Sequence, residues 1–276
     1  MRVSESRIHR TAVVEDGAEL GTSVSVGPFA WIGPGTKIGD HADIGPHAVV
    51  HPWTTVGHGT RVHAGAVLGD LPQDLKFEPC VSYVRIGADC VLREGVTVHR
   101  GTGEGSVTEL GAGCYLMAFS HVGHNSTLGE RVIMANGALL GGHVEVGEGS
   151  FISGNVSVHQ FVRIGRLVMM GGNSGVSRDV PPFCTVSSLR RNRLSGLNTV
   201  GLRRAGLEAA ARREIKRTYR RLFQSGLPLS RALAELDEEP PASPEAAEMI
   251  EFIRASRRGV CGAERGAGES SGREMR

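Results

Sequence analysis

Imidazoles and a bare peptide are the groups in this chain with the means to do chemistry. His121, His124, His143 and His159 fall close together in the sequence. Imidazole takes and returns protons near neutral pH, so a histidine in a solvated groove can serve as a general base. Gly142 lies among them, and its N–H, with no side chain in the way, could meet a developing oxyanion. Plain polar stacking of histidines on a surface is the alternative. Which of the two holds depends on how the backbone positions these residues.

The backbone is set by a repeat. An aliphatic residue recurs at every sixth position from Ile8 to Leu68, again at Ile86, Leu92 and Val98, and then from Leu110 to Val176. A six-residue period fits neither a helix nor a simple alternating strand and marks a solenoid. A β-sandwich would not hold the phase for so long. Each unit supplies one short strand and one corner, and three units close a triangular circuit. The aliphatic residue points inward, and the glycine that often follows it is expected to relax the bend. Ala12, Ala30, Ala42 and Ala66 stand two places before the aliphatic, where an interior neighbour must be small.

Circuits stack roughly 4.8 Å apart, so residues 18 apart lie one above another. One column reads His124, Gly142, Gln160, Arg178, with Asn125, His143 and Phe161 on one side and Gly123, Gly141 and His159 on the other. The repeat alone therefore brings His124, His143, His159 and Gln160 to one corner. Asn136, Gly154 and Gly172 form a column on a different edge, where small side chains leave room for a slender ligand. Packing identical prisms side by side would join the two edges, which argues for a cyclic oligomer, most simply a homotrimer.

Residues 70–84 and 100–107 interrupt the repeat and read as loops thrown out from corners, the usual carriers of function on a rigid scaffold. Pro181 and Pro182 end the ladder. The expected organisation is a β-helix over 1–186, a small helical domain over 187–260 and a disordered tail over 261–276. Ser243-Pro244-Glu245 is a good helix start.

The formal net charge is +2, but Arg163, Arg166, Arg178, Arg190, Arg191, Arg193, Arg203 and Arg204 gather near the end of the solenoid. Such a patch suits an acidic partner, with a merely solvated face as the equal alternative. Nucleic acid is disfavoured, because aromatics are not interleaved with the basic residues. The five cysteines have neither metal nor disulfide spacing. With no apolar run long enough to cross a bilayer and no leader pattern, a reducing cytoplasm and no membrane insertion are expected. Some hexapeptide solenoids hold zinc with histidines across a subunit interface, but no Cys or nearby carboxylate completes a ligand set here, so no metal and no cofactor are expected.

These motifs resemble a known family. Pro72-Gln73-Asp74-Leu75-Lys76, Val98-His99-Arg100-Gly101-Thr102, Ser120-His121-Val122-Gly123-His124-Asn125, Gly141-Gly142-His143-Val144, Val158-His159-Gln160-Phe161 and Gly171-Gly172-Asn173-Ser174-Gly175 stand in this order. Gly196-Leu197-Asn198, Gly201-Leu202-Arg203-Arg204 and Ser256-Arg257-Arg258-Gly259 follow. Over about residues 8–260 the chain is similar to the UDP-N-acetylglucosamine O-acyltransferases that begin lipid A synthesis. The resemblance implies a left-handed parallel β-helix of hexapeptide repeats with a small α-helical C-terminal domain, assembled as a homotrimer. It implies transfer of a (3-hydroxy)acyl chain from acyl carrier protein to the 3-hydroxyl of UDP-N-acetylglucosamine.

Carried onto this chain, the resemblance makes His124 the general base and the Gly142 N–H the oxyanion donor. Asp74, Lys76, His121, His143, His159 and Gln160 would hold the sugar nucleotide. Asn198 and Arg204 would act at the nucleotide end or the carrier side, and Gly172 would limit acyl length. The acidic carrier protein gives the arginine cluster a reason. The chain departs from the family pattern at Asn125, often acidic, at Val200, often glutamate, and across Ser187–Asn192. An N-acyltransferase on a related UDP-amino sugar, a zinc lyase of the carbonic anhydrase type and a non-catalytic scaffold stay open at this point.

Overall fold

A computed structural model describes residues 6–263. The solenoid is a left-handed parallel β-helix. Short strands stack into three ladders of twelve, nine and eight strands, one to each face of a triangular prism, all parallel except for one antiparallel pair at the end of the twelve-stranded ladder. On the nine-stranded face Val122 pairs with Leu140, Leu140 with Val158 and Val158 with Val176, the 18-residue step that the repeat requires. Val98 pairs with Leu68 below and Val122 above, so the segments between them loop out without breaking the ladder.

The inward aliphatics from Val26 onward are buried, while Ile8 at the open first coil is half exposed. Burying one such side chain contributes about 1.5–3 kcal/mol, which is why a chain poor in aromatics can fold around this column. The alanines two places before the aliphatic are equally buried from Ala30 upward. Serine at that place can satisfy itself on the backbone, as when Ser120 Oγ donates to the Met117 carbonyl at 2.9 Å, whereas the buried hydroxyls of Thr54 and Ser174 have no partner among the described residues.

The glycine after the aliphatic residue has a different reason from the one expected. The left-handed residue of each corner comes three places after the aliphatic, at Phe119, Asn125, His143 and Asn155, with φ between 54° and 59°. Gly123 and Gly141 are demanded by stacking instead. A Cβ at Gly123 would stand 2.7 Å from the Gly141 carbonyl carbon, and one at Gly141 would stand 2.8 Å from the Gln160 nitrogen. Their bare backbones let adjacent coils close on one another.

The ladder ends in a hairpin, with Cys184–Val186 antiparallel to Arg193–Leu197. Helices α1 (Thr199–Arg204), α2 (Ala209–Phe223), α3 (Leu229–Glu238) and α4 (Pro244–Arg254) follow. Ser243 caps α4 by accepting from the Ala246 N–H, with Pro244 in the first turn. Ile215, Tyr219 and Leu222 of α2 and Met249 and Ile253 of α4 are buried. α4 docks on the solenoid's side, where Glu248 accepts from Arg166 Nε at 2.8 Å and the Arg163 guanidinium lies 4.5 Å over the Phe252 ring.

The expected disorder from residue 261 is corrected for its first three residues. Gly262–Ala263 is a strand paired with Arg193–Leu194, and Cys261 is buried, its N–H donating to the Asp179 carbonyl. Edge pairing and an apolar thiol outweigh the polar composition there. The remainder of that expected tail, residues 264–276, lies outside the described residues. Among the described residues no helix is long and apolar enough to cross a membrane.

Candidate active site

A groove of about 420 Å³ runs along the nine-stranded face and is lined by Gln73, His99, His121, His124, Gly142 and Gln160, among others. His121 opens a strand, and His124 stands at the corner beyond it. One coil up, Gly142 occupies the equivalent corner. The His143 N–H donates to the His124 carbonyl at 2.8 Å, which fixes the register. A Cβ on Gly142 would stand 2.4 Å from both Cε1 and Nε2 of His124. The imidazole therefore lies directly across the bare peptide. Among the described residues the Gly142 N–H donates to no protein acceptor, so it is free to meet a ligand.

Asn125 sets the tautomer of His124. Its Oδ1 accepts from the Thr102 N–H at 3.0 Å and faces Thr102 Oγ1 at 2.9 Å. A backbone N–H can only donate, so the amide oxygen, not the nitrogen, faces this way. His124 Nδ1 lies 3.0 Å from the same oxygen and must be the donor. The neutral ring then carries its proton on Nδ1 and presents a lone pair on Nε2, the arrangement a general base needs. Thr102 belongs to the 100–107 loop, which thereby gains a task. Asn125 itself sits at φ 59°, a region asparagine tolerates well.

Burial pushes three neighbouring imidazoles, His99, His121 and His143, toward their neutral form. Burial, followed by the charges of His99 and His124, pushes His121 down to about 4, and its Nδ1 shares a 2.7 Å hydrogen bond with Thr97 Oγ1. Burial lowers His99 too, against a smaller opposite pull from Asp70. His143 is lowered by burial and by His124, with Asp74 pulling the other way. The His143 ring stacks on Phe161 at 4.5 Å and meets His124 edge-on at 5.2 Å.

His121, His124, Gly142, His159 and Gln160 thus share one groove. His143 borders the adjoining cleft on the far side of Asn125. Asp74 lies close enough to act on His143, and its Oδ1 accepts from the Lys76 N–H at 2.9 Å. The Lys76 side chain is exposed, and Gln73 is the loop residue that lines the groove. Asn198 caps α1: its Oδ1 accepts from the Gly201 N–H and its Nδ2 donates to the Leu167 carbonyl at 2.9 Å. Arg204 ends that helix, exposed. Neither lines the His124 groove within one chain. A Cβ at Gly172 would meet nothing nearer than the Gly154 carbonyl oxygen at 3.7 Å, so a side chain there would project freely.

Gln73, His99 and Thr102 were missed as site residues. His99 is only 6% exposed, its ring meets His121 edge-on at 4.9 Å, and its Nδ1 has no partner. It stands directly after an aliphatic residue, where Gly123 and Gly141 stand in the next coils. The insertion at 100–107 breaks the count of 18 that would have revealed the column. Among the described residues no group of three or more His, Cys, Asp or Glu could hold a metal ion.

Comparison with known proteins defines first the class and then the family. A family model described as bacterial transferase hexapeptide (six repeats) matches residues 35–70 and 108–142, which makes the chain a hexapeptide-repeat transferase. A second, described as domain 2 of UDP-N-acetylglucosamine O-acyltransferase, matches residues 179–261. An acyl-[acyl-carrier-protein]–UDP-N-acetylglucosamine O-acyltransferase from Anaeromyxobacter sp. (strain Fw109-5) is 43% identical over 92% of this chain and 98% of its own. Its counterpart from Sulfurovum sp. (strain NBC37-1) is 46% identical over 92% and 97%. The solved UDP-N-acetylglucosamine acyltransferase from Bacteroides fragilis superposes with a TM-score of 0.88 at 36% identity, covering 92% of this chain and 99% of that one. The chain belongs to the acyl-[acyl-carrier-protein]–UDP-N-acetylglucosamine O-acyltransferase family.

Proposed function

We propose that this protein transfers a (3-hydroxy)acyl chain from acyl carrier protein to the 3-hydroxyl of UDP-N-acetylglucosamine, the first step of lipid A synthesis. His124 Nε2 takes the hydroxyl proton as the oxygen attacks the thioester carbonyl. The Gly142 N–H stabilises the tetrahedral oxyanion. Collapse of that intermediate breaks the C–S bond, and the imidazolium returns its proton to the departing thiolate. The observation that carries this reading is the 2.4 Å approach of His124 to the space a Cβ on Gly142 would fill.

His121, His159, Gln160, Asp74 and Lys76 hold the sugar nucleotide, with His143 supporting His124 from the side. Asn198 and Arg204 reach the site from an adjacent subunit of a homotrimer, since one chain keeps them apart from His124. The Gly172 edge then faces the groove of the neighbour and limits acyl length, its missing side chain admitting a longer chain. The acidic carrier protein docks on the arginine-rich end, and the reaction runs in the cytoplasm.

The test is an assay of purified protein with UDP-N-acetylglucosamine, a 3-amino analogue and a panel of acyl carrier protein thioesters, read by mass spectrometry. O-acylation of the natural sugar is expected, with a loss of at least ~10²-fold in His124→Ala. Absence of transfer by the wild type, or an unaltered rate in the variant, overturns the proposal.

A further inference from the structure

The His124 groove does not end at His159. It runs on into a smaller groove of about 200 Å³ bordered by Ser157, His159, Gly175, Ser177 and Arg191. Ser157 and His159 belong to both. Arg191 lines this far end, Arg258 bonds two of its lining residues, Ser177 and His159, and each arginine arrives on a segment pinned to the last coil.

Arg191 comes from the hairpin turn, the stretch where the chain departs from its family's pattern. Next to it, Asn192 adopts φ 55°, accepts from the Ser177 N–H at 2.7 Å and donates through Nδ2 to Ser177 Oγ at 3.0 Å. That clamp lays the Arg191 side chain across Gly175, where a Cβ would stand 3.5 Å from Nε. Arg258 comes from the return after α4. Asp179, 1% exposed, donates its N–H to the Gly259 carbonyl and accepts from Ser256 Oγ at 2.7 Å. Arg258 Nε donates to the Ser177 carbonyl and Nη2 to His159 Nδ1, both at 3.3 Å. His159 Nδ1 also lies 3.1 Å from the Gln160 carbonyl, which anchors the ring where the two grooves join. Among the described residues no carboxylate pairs with Arg191 or Arg258.

We propose that Arg191 and Arg258, with His159 between them, form a phosphate-binding site at the end of the catalytic groove. Pre-positioned guanidinium forks without a carboxylate match a phosphate's oxygens. The proposal rests on the acyl-transfer reading, which supplies two sources of phosphate. One is the diphosphate of the sugar nucleotide, and the other is the phosphodiester that joins the pantetheine arm to its carrier. Gly175 lies three coils above His121 on the same face, a rise of roughly 14 Å. That exceeds the span of one sugar ring from 3-hydroxyl to anomeric phosphate. It suits the far end of an extended arm whose thioester lies at His124.

The test compares wild type, Arg191→Ala, Arg258→Ala and Arg191→Lys with acyl thioesters of 4′-phosphopantetheine, of unphosphorylated pantetheine and of the intact carrier. KM is measured for each donor and for UDP-N-acetylglucosamine. For the alanine variants we expect a rise of about 10-fold in KM for the two phosphorylated donors. We expect no change with the unphosphorylated one, and a partial defect in Arg191→Lys, which keeps the charge but loses the fork. A rise confined to the KM of UDP-N-acetylglucosamine keeps the phosphate site and assigns it to the nucleotide. Every KM within twofold of wild type overturns the site. Calorimetric titration with 4′-phosphopantetheine and with UDP-N-acetylglucosamine needs no turnover. Arg191-dependent binding by a protein that transfers nothing would sink the acyl-transfer reading and leave the site standing.

Discussion

His124 and Gly142 occupy one volume between them: the imidazole fills the space where a side chain at 142 would begin, 2.4 Å from its Cβ. Gly142→Ala therefore has to push the ring away. The ring is the far end of a rotatable side chain, so the coil itself need not move, and the fold should survive with its circular dichroism unchanged. Acyl transfer should fall by at least ~10²-fold, close to the loss in His124→Ala, because a displaced ring no longer meets the hydroxyl. Wild-type kcat/KM in Gly142→Ala would show that the ring works from another position.

Asn125 links His124 to Thr102 and makes Nδ1 the protonated nitrogen. Asn125→Leu removes the acceptor and frees the tautomer, so kcat should drop roughly 10-fold with KM little altered. Asn125→Asp keeps the acceptor and adds a negative charge that stabilises the imidazolium. The acid limb of its kcat/KM–pH profile should move upward while activity at high pH is retained. An acid limb that stays fixed in Asn125→Asp would remove Asn125 from the role of orienting His124.

Acid should weaken the fold through His121. Its folded pKa of about 4 lies below the ordinary histidine value of 6.5, chiefly because the ring is buried. Between those values the unfolded chain binds the extra proton and the native one does not, so stability falls as pH drops through that window. Below about 4 both states are protonated and this contribution no longer changes. His121→Asn removes the titration while keeping a group that can bond Thr97. Urea midpoints at pH 7 and pH 4.5 should differ less in this variant than in the wild type. Equal differences would place the acid sensitivity elsewhere.

What could be read from the sequence was what the period controls. No insertion separates 124 from 142, so counting by 18 placed the imidazole on the bare peptide. His99 stayed hidden because residues 100–107 break that count, and Thr102 because a loop's conformation has no period to read. The stacking glycines were explained wrongly for a simple reason. A missing Cβ reads the same whether the backbone needs a left-handed φ or a neighbouring coil needs the space. Asn198 shows the converse limit. Its cap on α1 and its bond to Leu167 have no period that would announce them.

Arg100 ties the loop that bears Gln73 and Asp74 to the solenoid. Its guanidinium lies 4.9 Å over Trp53 and 5.6 Å over Phe77, and Nη1 donates to the Cys80 carbonyl at 2.8 Å. It is 7% exposed, so the ring contacts are largely desolvated, where a cation–π contact is worth up to ~2 kcal/mol. Phe77 belongs to the loop and Trp53 to the coil beneath, which makes Arg100 the bolt between them. Arg100→Lys keeps the charge but cannot spread over two rings. The loop should then sample open positions, raising KM for UDP-N-acetylglucosamine by about 10-fold, the equivalent of 1.4 kcal/mol, with smaller effects on the acyl donor. Hydrogen exchange over residues 71–80 should rise in parallel. A variant with faster exchange but an unchanged KM would separate the loop from sugar-nucleotide binding.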